Sequence, residues 1–135
     1  MKWIAAIVIA AAVFGVLDFL WLGKVGRPLY DARIGDLLAP RPNMGAALLF
    51  YAIYILGVTY FVLVPALESG SLGRAALSGF LFGLVAYATW NLTNLAVLKD
   101  FNASIVPIDM AWGSIATMIT AVVTFLAVRA LPFVD

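Results

Sequence analysis

The chain has 135 residues, of which 65% are hydrophobic and 11% charged, with a formal net charge of +1. A soluble domain usually carries roughly 25% charged residues, and a soluble fold this apolar would leave large greasy patches in water. The small net charge provides no basic field for nucleic acid. Cysteine and histidine are both absent, which removes disulfides, thiol chemistry and the imidazole ligands of haem bundles, di-iron desaturases and zinc proteases. No cofactor and no metal are expected.

A transmembrane helix needs about 20 mostly apolar residues. The first expected span covers residues 3–23 and is interrupted only by Asp18. Its start has the look of a signal peptide. However, the apolar run continues past Ala10-Ala11-Ala12, where cleavage would fall, and is long enough to span. Residues 24–43 are the longest polar stretch, with Arg27, Asp31, Arg33, Asp36 and Arg41 among Pro28, Pro40 and Pro42. Leu29, Arg33/Ile34 and Leu37/Leu38 recur at helical spacing, which predicts a short amphipathic helix lying in the interface with Tyr30 at headgroup depth.

The second span is expected over residues 44–64, with Pro65 at its end, followed by the polar turn Glu68-Ser69-Gly70-Ser71. The third covers 72–98, and the fourth 107–131, with Pro107 in a first turn that has N–H groups to spare. The expected fold is therefore all-α, an integral membrane four-helix bundle forming a single domain. Lys24, Arg27, Arg33, Arg41 and Lys99 lie in the first and third loops, against Lys2, Arg74 and Arg129 on the other face. The positive-inside rule then places those loops in the cytoplasm and both termini outside. Gly79 and Gly83 on the third helix, with Gly113, Ala116 and Thr117 on the fourth, are small residues that let helices approach closely in lipid.

Charged groups at the centre of a span cost about 2.5–3.5 kcal/mol on insertion scales, so each ionisable residue there needs a reason. Asp18 lies roughly 8 Å from the end of its helix, too deep for a short side chain to reach water. It must face the bundle interior, take a proton or find donors, and Trp21, three residues on, offers an indole N–H. Asp109 and Trp112 repeat the spacing at the start of the fourth helix, where Asp109 can also serve the helix N-terminus. Tyr87, Asn91, Asn94 and Leu98 share a face of the third helix, and buried asparagines there must be satisfied. Lys99 closes that helix.

An up-down topology gathers these groups in one half of the bundle. The expected ligand-binding set is Asp18, Trp21, Tyr87, Asn91, Asn94, Lys99, Asp109 and Trp112, with Tyr51 and Tyr54 as weaker members. An apolar half lies behind this polar half, and no polar path crosses the whole membrane.

The motifs Asp18-x-x-Trp21-Leu22-Gly23, Ala39-Pro40-x-x-Asn43, Phe50-Tyr51-x-x-Tyr54, Pro65-Ala66-Leu67-Glu68-x-Gly70-Ser71, Tyr87-Ala88-Thr89, Leu92-Thr93-Asn94-Leu95-Ala96, Leu98-Lys99 and Asp109-x-x-Trp112-Gly113 together resemble a family of small bacterial membrane proteins, domain of unknown function 2177. The resemblance covers nearly the whole chain. It implies a four-helix protein of the bacterial inner membrane and no established activity. The family's third-helix motif usually reads Tyr-Ala-Thr-Tyr-Asp-Leu-Thr-Asn, whereas Trp90 and Asn91 stand here in place of the Tyr-Asp pair. That exchange suits a hydrogen-bonding role at Asn91 better than an acid–base one.

Three functions follow as expectations. The first is a protein that binds a lipid or apolar small molecule in a one-sided polar pocket, accessory to membrane lipid metabolism and without covalent chemistry of its own. The second is a membrane enzyme acting on a lipid, with Asp18 as acid and Asp109 ionised. The third is a small proton-coupled transporter that works as an oligomer. The expected partners are the lipid bilayer, such a ligand and a membrane protein, with no nucleic acid.

Overall fold

A computed structural model describes residues 1–132. Four helical rods, Lys2–Leu37, Met44–Ser69, Leu72–Val97 and Ile105–Ala130, are each long and apolar enough to cross a membrane, and no strand occurs among the described residues. A 26-residue rod such as Leu72–Val97 is about 39 Å long at 1.5 Å per residue, more than the hydrocarbon thickness of about 30 Å.

Two of the rods are not regular α-helices. Helix α1 (Lys2–Leu20) passes through a π-helical turn (Trp21–Gly26) into α2 (Arg27–Ile34) and a 3₁₀ turn (Gly35–Leu37). Helix α3 (Met44–Val58) passes through a second π-helical turn (Thr59–Leu63) into α4 (Val64–Ser69). Each wide turn ends two residues before a proline, Pro28 and Pro65, in the first turn of the helix that follows. Proline lacks an N–H, and its ring clashes with the carbonyl four residues back. Hydrogen bonds reaching one residue further relieve that conflict, as where Val64 N–H donates to the Thr59 carbonyl.

This geometry extends two expectations. The amphipathic segment after the first span is helical, and it follows α1 without a break. Ile34 of α2 packs with Phe101, Ile105 and Val106, flanked by Leu29, Tyr30 and Met110. Pro65 likewise does not end the second rod, which reaches Ser69.

Helices α5 (Leu72–Val97) and α6 (Ile105–Ala130) begin close to their expected positions. The Asn43 side chain accepts from Ala46 N–H at the start of α3, and Ser71 Oγ accepts from Arg74 N–H at the start of α5, each satisfying an N–H that a helix start leaves without a partner. Gly70, at φ 67°, closes α4 in the left-handed conformation.

Helix α6 is the centre of the bundle. It packs most extensively on α5 and next on α1. Helix α1 presents Ala6, Ala10, Phe14 and Asp18 as its buried stripe, one residue per helical turn. Thr117 and Thr120 are fully buried, and their hydroxyls donate to the Gly113 and Ala116 carbonyls at 2.7 and 2.8 Å. Bonds of this kind let a polar side chain sit where no water is available.

The α5–α6 contact is glycine-dependent. A Cβ on Gly83 would lie 2.3 Å from the Gly113 carbonyl oxygen, and one on Gly79 would lie 3.1 Å from the Thr117 carbonyl oxygen. A Cβ on Gly113 would enter the Tyr87 ring, 2.1 Å from Cγ. Gly83→Ala therefore forces backbone apart, and we expect it to lower unfolding stability by about 1–3 kcal/mol. Gly15→Ala, in the interior of α1 with nothing within 4 Å of its new methyl, should leave stability unchanged or raise it by up to about 1 kcal/mol. Denaturant titration of both variants in detergent micelles checks the contrast; equal stability would contradict the close approach.

Candidate ligand-binding site

The site lies where the end of α1, the first half of α3, the second half of α5 and the start of α6 converge, with α2 folded over them. Asp109 is 5% exposed and lies in the second turn of α6, past the N-terminal cap position. It caps nothing. Its Oδ1 accepts a hydrogen bond from Tyr30 OH, and its Oδ2 accepts one from Asn91 Nδ2 at 2.7 Å. Asn91 is fully buried, and its Nδ2 also donates to the Tyr87 carbonyl at 2.8 Å. Its Oδ1 is buried without a partner.

Tyr30 in turn accepts from the Trp21 indole N–H at 2.8 Å. A chain of hydrogen bonds thus runs from Trp21 through Tyr30 to Asp109. Gly26 makes it possible, because a Cβ there would sit 2.6 Å from Trp21 Nε1 and 2.9 Å from the Tyr30 ring. The Trp21 ring stacks on Trp112, with centroids 4.5 Å apart and planes within 6°.

Asp18, 9% exposed, takes its donor from a different helix: Tyr51 OH donates to Oδ2. The expected Trp21–Asp18 bond does not form. The wide turn that begins at Trp21 redirects the indole toward Tyr30. The Trp112 indole nitrogen lies beside Asp18 but is buried without a hydrogen-bond partner.

These groups border a cavity of about 430 Å³, lined by Asp18, Tyr30, Tyr87, Trp90, Asp109 and Trp112 together with Leu22, Ile34, Leu38, Phe50 and Ala86. No lysine or arginine lines it. The volume falls in the range of small-molecule sites, which are mostly apolar with a few placed polar groups. Its edge is open. Phe50 on α3 and Trp90 on α5 are each 49% exposed. Helix α3 meets α1 through Phe14 against Tyr51 and Tyr54 and meets α5 through Phe82 against Gly57 and Tyr54.

Asp18, Trp21, Tyr87, Asn91, Asp109 and Trp112 are thus brought together. Asn94 is half-buried, its side chain makes no hydrogen bond among the described residues, and it does not line the cavity; Lys99 is exposed and outside it. Tyr30 and Gly26 were not anticipated, and Tyr51 only weakly. Tyr30 sits twelve residues after Asp18, a spacing that points elsewhere on a regular helix. Among the described residues no group of three Asp or Glu side chains could hold a metal ion.

A family model for predicted membrane proteins, DUF2177, matches residues 3–126. The chain belongs to this family. No curated protein and no solved structure matches the chain. Membership in DUF2177 and the four possible spans agree on an integral membrane protein.

Tyr30→Phe removes the hydroxyl that Trp21 and Asp109 share, leaving a half-buried donor and a carboxylate oxygen unpaired. We expect a loss of about 1–3 kcal/mol in stability and a weaker near-ultraviolet circular dichroism signal from the Trp21–Trp112 stack. A spectrum and stability matching the wild type would remove Tyr30 from the network.

Proposed function

We propose that the protein binds a lipid or apolar small molecule with its polar end at Asp18 and Asp109, as an accessory to lipid metabolism in a bacterial cytoplasmic membrane. One observation carries this reading: a cavity with largely apolar and aromatic walls holds two carboxylates and opens past Phe50 and Trp90. In a bilayer, side chains exposed along a spanning helix face hydrocarbon, so this edge gives an amphiphile a sideways route that keeps its chain in lipid. The unpartnered Trp112 indole N–H is a further group that a ligand can satisfy.

A second reading, an enzyme acting on a lipid, is favoured by the unequal donor supply of the carboxylates. Both Asp109 oxygens are engaged, whereas Asp18 accepts at one. Such a difference separates the two groups into distinct roles when both reach one substrate.

The test is mass spectrometry of molecules retained by the wild type, Asp18→Asn and Ala86→Phe in native nanodiscs. Ala86 lines the cavity without a polar side chain, so Ala86→Phe fills the space and leaves the hydrogen bonds in place. We expect a discrete lipid or small molecule in the wild type, reduced at least about tenfold (1.4 kcal/mol) in both variants. Bulk membrane lipid alone, identical in all three samples, would overturn the reading.

A further inference from the structure

We infer that the polar end of the ligand is an organic ammonium, so that the cavity takes an amphiphile bearing a primary amine. The inference rests on the reading of the cavity as a ligand site and concerns the charge of what fills it.

The first observation is a missing countercharge. Asp18 and Asp109 are buried and line the same cavity, yet among the described residues neither is within salt-bridge distance of a cation. Among the described residues the ion pair found is Arg27–Asp31 at 3.9 Å, between exposed side chains. Arg27 does border a neighbouring surface cleft that shares Asp18 and Leu22 with the cavity, but it does not line the cavity itself. An isolated carboxylate in a low-dielectric setting must take a proton or find a cation. An anionic head such as a phosphate would face two carboxylates with no basic side chain to hold it.

The second observation is the aromatic wall. Tyr30, Phe50, Tyr87, Trp90 and Trp112 line the cavity together with the two carboxylates. Aromatic faces attract organic cations through the ring quadrupole, most strongly when the cation is desolvated, and tryptophan is the best of them. Aromatic rings together with carboxylates form a surface complementary to an ammonium and poorly matched to a phosphate.

The third observation concerns hydrogen bonding. Asp18 accepts from Tyr51 at Oδ2, and among the described residues no hydrogen bond reaches its Oδ1, with the Trp112 indole N–H the one other donor group beside the carboxylate. A primary ammonium has three donors and no acceptor. It can serve that free oxygen and the remaining lone pairs of Asp109, and its charge supplies what the pocket lacks. The same chemistry occurs in a free long-chain amine and in the aminoethyl head of a phospholipid.

The experiment compares three probes of one chain length, dodecylamine, dodecanol and dodecyl phosphate, titrated against the protein in uncharged maltoside micelles near neutral pH. Intrinsic tryptophan fluorescence, to which the cavity residues Trp90 and Trp112 contribute, and bound mass are read, with empty micelles as the blank. We expect dodecylamine to bind at least about tenfold more tightly than either of the others, and Asp18→Asn to abolish that preference while dodecanol binding persists. Adding phosphatidylethanolamine separates the sources: competition with dodecylamine supports the phospholipid head, and its absence supports the free amine. Dodecanol binding as tightly as dodecylamine, or dodecyl phosphate binding more tightly, overturns the ammonium inference and leaves the cavity reading standing. Failure of all three probes to bind the wild type overturns both. The wild-type ranking decides the matter even where a variant fails to fold.

Discussion

Close contact between α5 and α6 sets the position of almost everything else. The two helices meet in an antiparallel ladder with one rung per turn. Gly79 faces Ala121, Gly83 faces Thr117, Tyr87 lies over Gly113, and Asn91 reaches Asp109. The first rungs are made of glycine and other small residues, which allow backbone approach where lipid offers no hydrophobic drive for helix association. The last rung is a hydrogen bond to a carboxylate. The same packing that holds the bundle together therefore delivers Asn91 to Asp109, and a polar pair is held in an apolar environment by the steric fit of residues several turns away.

From that seam the site grows by borrowing donors from more distant parts of the chain. Asp109 receives one hydrogen bond from α5 and one from α2; Asp18 receives one from α3. Three segments beyond α1 and α6 are thus tied to the two acidic groups. In water such bonds would compete with solvent and contribute modestly to stability. In hydrocarbon the alternative is an unsatisfied polar group, which costs considerably more. The aspartates are costly for each helix alone, and the assembled bundle offsets that cost.

Much of this architecture was legible in the sequence. Hydropathy and length marked four spans, and the glycines on α5 and α6 marked the close seam. The one-sided placement of Asp18, Asn91, Asp109 and Trp112 followed from an up-down topology. Asn94 was misplaced because the seam advances in steps of four residues through Gly83, Tyr87 and Asn91, so the three-residue step to Asn94 leaves it. Tyr30 was missed for a different reason. The first span is expected to end at residue 23, ahead of the polar run, whereas the wide turn keeps the chain helical through Pro28, and hydropathy carries no trace of which carbonyl an N–H selects.

The wide turn at Trp21–Gly26 also acts as a phase shifter. In a regular helix successive side chains rotate by about 100°, so Asp18 and Tyr30, twelve positions apart, would diverge by about 120°. Absorbing one extra residue in a π-helical turn reduces the divergence to about 20°, and both side chains line the same cavity. The length of this turn therefore works like a reading frame for every side chain that follows. Shortening it by a single residue would swing Tyr30 and Ile34 out of alignment together, with almost no change in composition or hydropathy. At this point the chain is constrained by count as well as by chemistry.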